Sequence, residues 1–89
     1  MRSEQTVELT GPPAFGYGHK VQSRKNVKND GTFAGREIGD VLVRKGEVGY
    51  VRDIGTFLQQ FYIYAVEFID SGNVVGMRAR ELDSLETQP

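Results

Sequence analysis

The chain has 89 residues, enough for one small domain with a single core. It contains no Cys and one His, which excludes disulfides, a Cys nucleophile, thiolate ligation of zinc or an iron–sulfur cluster by this chain, and a His-based metal site. Residues 20–45 hold seven bases and three acids, while residues 46–89 hold three bases and seven acids; the whole carries −1, far from the strongly basic balance of a dedicated nucleic-acid binder.

The first residues, Met1-Arg2-Ser3-Glu4-Gln5-Thr6, lack the apolar stretch of a signal peptide, and no apolar run is long enough to span a membrane, so a cytoplasmic protein is expected. Residues 1–15 read as an arm, frayed or laid along the domain, with Val7, Leu9 and Phe15 as candidate anchors. A single domain follows over 16–86, with a tail at 87–89.

From His19 to Arg24 the chain alternates. Lys20, Gln22 and Arg24 share one face, which turns Val21 inward on a half-buried strand. An irregular stretch covers 26–40 and contains Asn29-Asp30-Gly31, residue types that tolerate positive φ in turns. A short apolar segment, Val41-Leu42-Val43, leads to a turn at Lys45-Gly46. A second strand is expected over 47–54, with its inward face open and a break at Gly55-Thr56.

Residues 61–69 give the strongest strand signal, filled with β-branched and aromatic residues. Glu67 marks the solvent face and sends Tyr62, Tyr64, Val66 and Phe68 inward. Asp70-Ser71-Gly72-Asn73 is a hairpin turn. In residues 74–79, Arg78 points out and Val75, Met77 and Ala79 point in. A helical turn is expected at Glu81-Leu82, then a short final segment around Leu85. No window holds a clean helical stripe. Four to five short strands with a long loop after the first predict an all-β fold, a small SH3-like antiparallel barrel.

Gly16-Tyr17-Gly18 lacks the third glycine and the helix of a phosphate-binding loop and reads as a bend. His19 has no recognisable partner for general-base work and reads as a strand-edge residue. Phe57-Leu58-Gln59-Gln60-Phe61 lies where a turn should be. Two Phe and a Leu there either plug a barrel end or anchor a partner, and Phe61 and Ile63 share the Glu67 face and extend the patch. Phe57, Leu58, Phe61 and Ile63 are therefore candidate partner-binding residues, with Lys25, Lys28 and Arg36 as an electrostatic rim. No acid pair, Ser/His/Asp set or metal spacing stands out. The residues describe a binding module rather than an enzyme, with no cofactor and no specific nucleic-acid partner.

Asn29-Asp30-Gly31-Thr32-Phe33, Arg36-Glu37-Ile38-Gly39, the run Lys45 to Phe68, Val75-Gly76-Met77-Arg78 and Glu81-Leu82 together resemble the NifZ family of nitrogen-fixation accessory proteins. The likeness covers about residues 16–83, and Gly55-Thr56-Phe57-Leu58-Gln59 with Phe61-Tyr62-Ile63-Tyr64 is its most specific part. The resemblance implies a nitrogenase assembly factor that assists P-cluster completion on the molybdenum–iron component, with no catalytic motif. Some family members run longer than one domain. The alternatives are an SH3-like nucleic-acid-binding module or a docking module of an electron-transfer complex, both on fold analogy.

Overall fold

The computed structural model describes Leu9 and residues 11–86. Val7 and the tail 87–89, named above, lie outside these. The described residues form an antiparallel all-β fold: β1 (Lys20–Ser23), β2 (Val27–Lys28), β3 (Val41–Val43), β4 (Val48–Phe57), β5 (Phe61–Phe68), β6 (Val74–Met77), a 3-10 turn (Ala79–Glu81) and β7 (Leu82–Ser84). Five strands make one sheet in the order β6-β5-β4-β1-β7, and β2 and β3 form a separate two-stranded ribbon. The expected all-β antiparallel class is correct. The strand pairing stops short of a closed ring, since β6 and β7 are the two edges of the larger sheet.

The alternation in β5 has the predicted sense. Tyr64, Val66 and Phe68 are buried, and β6 adds Val75 and Met77 to the same side. Val21, Leu42, Val43, Val51 and Leu82 complete the core, so the ribbon and the last strand pack against one centre with the sheet. The inward face of β4 changes along its length. Val51 pairs with Val66, but the register shifts before Asp53, and beyond it Ile54 pairs with Tyr64. This β-bulge at Arg52 moves the core side from Val51 to Ile54, which is why no single alternation describes the strand.

Strand β4 does not break at Gly55-Thr56. It continues to Phe57, with Gly55 opposite Ile63 and Thr56 opposite Tyr62. Ladder pairing with a long β-rich partner overrides the local Gly signal. Phe57 thus ends β4 and Phe61 opens β5, leaving Leu58, Gln59 and Gln60 as the connection.

The irregular stretch after β1 is organised by one buried side chain. Asn29 Nδ2 donates to the carbonyls of Phe33 (3.2 Å), Arg36 (2.9 Å) and Glu37 (3.2 Å). Its Oδ1 accepts the amides of Gly31 (2.9 Å) and Phe33 (3.1 Å). A loop with few apolar residues thereby satisfies its backbone internally. At the other end, the Tyr62 hydroxyl donates to the Gly11 carbonyl (2.7 Å), and the Ala14 amide donates to the Tyr64 hydroxyl (2.8 Å). Phe15 is buried and meets Tyr64 edge-on at 5.2 Å. Residues 11–15 are laid along the domain.

Candidate partner-binding surface

The outward residues of β4, β5 and β6 build an apolar surface around the β4–β5 hairpin. Phe57 and Leu58 are 51% and 70% exposed and stand outside the core, so neither plugs it. The rings of Phe57 and Phe61 face across the end of the ladder, 5.4 Å between centroids. Ile63 lies two residues along on the same face. It sits against Gly76 of β6, where an added Cβ would come within 3.0 Å of Ile63 Cγ2. Glycine at 76 lets the isoleucine lie flat across the neighbouring strand.

The hairpin connection is itself unusual. The Gln60 amide donates to the Phe57 carbonyl at 3.0 Å, closing a tight turn. Its two central residues, Leu58 (φ 54°) and Gln59 (φ 55°), are both left-handed. This is the backbone that hairpins prefer to build from Asn-Gly, and an L side chain costs about 1–2 kcal/mol at such a position. The chain places an exposed leucine there.

Arg78 was missing from the expected set. Its guanidinium lies 3.6 Å from the centroid of the Phe61 ring. Sequence marks Arg78 only as an outward residue of the segment 74–79; the pairing of β5 with β6 carries it to Phe61. The rim residues divide. Lys25 Nζ lies 3.5 Å from Glu81 Oε2, and the other oxygen of Glu81 accepts the Arg78 amide at 2.9 Å, so Lys25 adjoins the patch through Glu81. Lys28 is exposed on β2 and lines a cleft of about 350 Å³ with Phe33, Leu42, Val74 and Gly76. Gly76 lines the cleft and lies against Ile63 of the patch. Arg36 is engaged within its own loop, 3.4 Å from Asp40 and 3.3 Å from the Val41 carbonyl.

Two other places test for chemistry. His19 Nε2 lies 2.7 Å from Ser84 Oγ, a pair formed by residues 65 apart in sequence that β1–β7 pairing brings together. Neither residue lines the cleft at Lys28–Gly76 or the one at Arg44–Asp70, and among the described residues no carboxylate meets the imidazole. The pair clips an edge strand rather than assembling a nucleophile with an oriented base. Asp30 accepts from the Thr32 hydroxyl (2.7 Å) and amide (3.1 Å), which hold its carboxyl below the usual carboxylate range. Among the described residues no group of three or more His, Asp or Glu side chains is placed to hold a metal ion, and no helix is long and apolar enough to cross a membrane.

Comparison with known proteins decides the family. The NifZ domain model matches residues 12–84, from the docked arm through β7. The chain belongs to the NifZ family. A NifZ protein of Sinorhizobium fredii is 63% identical over 82 residues, covering 92% of this chain and 76% of the relative. One from Rhodobacter capsulatus is 60% identical over 74 residues, covering 83% of this chain and 95% of the relative. The NifZ of Azotobacter vinelandii is 49% identical over 70 residues, and the chain spans 44% of its length. No solved structure matches the chain significantly. NifZ membership makes the chain a nitrogen-fixation accessory protein.

Proposed function

We propose that this NifZ-family chain is a nitrogenase assembly factor of the cytoplasm. It binds the immature molybdenum–iron component and assists formation of the P-clusters without ligating metal or catalysing a reaction itself. The observation that supports this reading is the apolar surface at the β4–β5 hairpin, with Phe57 and Leu58 exposed beside Phe61. Aromatic residues in such patches dominate protein–protein anchors. A chain without Cys offers no thiolate to iron, so its action falls on the shape of the client or on access to the client's own cysteines. A binder shifts a conformational equilibrium only by its differential affinity, so it holds the loosened, unfinished client more tightly than the finished one and leaves once maturation closes the site.

The test is co-purification from cells grown without fixed nitrogen. A tagged chain is expected to retain the molybdenum–iron component from a strain arrested before P-cluster completion, and to retain the finished component less. Phe57→Ala and Leu58→Ala are each expected to melt like the parent and lose about 2 kcal/mol or more of binding, roughly thirtyfold. Equal retention of finished and unfinished component, or none of either, would overturn the proposal.

A further inference from the structure

We infer that the hairpin surface recognises a protein segment in which a carboxylate side chain is flanked by apolar residues, the carboxylate being received by Arg78. The inference rests on the reading of this face as an interface, but not on the identity of the client.

Among the described residues, four cations face carboxylates. Arg24 faces Asp83, Lys25 faces Glu81, Arg36 faces Asp40, and Arg52 is paired with Glu67. Arg78 differs from these four. It is half-buried, its guanidinium rests on an aromatic ring, and its Nε is buried with no acceptor among the described residues. The carboxylates close to it are committed elsewhere. One oxygen of Glu81 takes the Arg78 backbone amide and the other faces Lys25. Glu67, on the same outer face, is held by Arg52.

A partly desolvated guanidinium without an anion is an unfavourable arrangement on its own, and it becomes favourable when a carboxylate arrives. Arginine suits that role because its planar fork can take both oxygens of a carboxylate while its face stays on the ring. The Phe57 ring faces that of Phe61, Leu58 follows Phe57 in the chain and Ile63 lies two residues beyond Phe61, so residues flanking the incoming acid would bury against them. Arg and aromatic side chains side by side are the composition of interface centres.

Single-stranded nucleic acid also stacks on aromatic and Arg groups, but it needs a positive track for successive phosphates. Here Glu67 shares the face, Asp53 is exposed on β4, and residues 46–89 are net acidic. These acids repel a run of phosphates more than the single carboxylate that Arg78 receives, so a protein segment is favoured over a polyanion.

Three probes test this on the isotopically labelled whole chain by NMR. They are a capped peptide with two Glu flanked by Leu and Phe, the same peptide with Lys for Glu, and an oligothymidine. The Nε–H of Arg78 is shielded from solvent and supplies a resonance on the guanidinium that is to receive the carboxylate. The Glu peptide is expected to shift that resonance together with the amides of Phe57 to Ile63, and to bind at least about tenfold more tightly than the Lys peptide. Arg78→Lys keeps the charge and loses the fork; it is expected to bind the Glu peptide about tenfold more weakly. Arg78→Glu is expected to reverse the preference between the two peptides. The preference shown by the unmodified chain, and its loss at high salt, stand even if a variant melts early.

Equal affinity for the two peptides, shifts confined to another surface, no binding of the Glu peptide, or tighter binding of the oligothymidine would each overturn the inference. Failure of the nitrogenase co-purification with the peptide preference intact would remove the client and leave the recognition chemistry standing.

Discussion

A Cβ on Gly49 would lie 2.6 Å from the carbonyl oxygen of Glu67 and 2.7 Å from Val66 Cγ1. Gly49 is buried on β4 opposite Phe68. The obstacle is backbone, not the end of a flexible side chain, so it cannot step aside without opening the ladder. Gly49→Ala is expected to destabilise the domain by about 2 kcal/mol or more, read as an earlier denaturant midpoint. Gly55→Ala on the same strand has open space around it and serves as the control; it should change stability by less than about 1 kcal/mol.

Replacing Leu58-Gln59 by Asn-Gly puts residues that tolerate positive φ where the turn requires it. The double variant is expected to stabilise the domain by roughly 1–3 kcal/mol, because two left-handed L residues are relieved. It should at the same time weaken client capture, since the exposed leucine is gone. Thermal unfolding and co-purification measured on one preparation would show the two effects moving in opposite directions. Lower stability in that variant would mean the turn is not strained as described.

Asn29 fills a role that no other side chain can take over. Asn29→Ala leaves three carbonyls and two amides of the 29–40 loop without their partner, and a loss of about 2–4 kcal/mol is expected. Asn29→Asp keeps the acceptor but sets a carboxylate oxygen against the carbonyls of Phe33, Arg36 and Glu37. That variant should be the less stable of the two near neutral pH and should recover part of the difference in acid, as the introduced carboxyl protonates and regains a donor.

The Asp30 carboxyl is held low first by the Thr32 hydroxyl and then by the Thr32 amide. A folded value below the unfolded one means that the contribution is present above the ordinary carboxylate range. It is lost as the pH falls through the folded value. Thr32→Val removes the hydroxyl alone. NMR titration of Asp30 in that variant should show its value moving up toward the ordinary range, with the retained amide bond keeping it from arriving fully.

The alternation of β5 and β6 is legible from the residues alone. Glu67 and Arg78 mark one face in residues whose neighbours on the other face are Tyr64, Val66, Phe68, Val75 and Met77, and a half-buried strand leaves only one way to satisfy that pattern. The residues also determine the turn at Asn29-Asp30-Gly31, through types that bond their own backbone. They mark Phe57 and Leu58 as apolar where a solvated connection was due, and they carry the family through the run around them. The remaining features depend on which strands lie side by side. The continuation of β4 through Gly55 follows from pairing with β5, and the bulge at Arg52 appears only in the register between those two strands. The His19–Ser84 contact needs β1 beside β7. The placement of Arg78 on Phe61 needs β6 beside β5, and with it comes the chemistry proposed for the surface. Local preference is written residue by residue along the chain, whereas these contacts join residues far apart in sequence that meet only after the sheet has closed on its core.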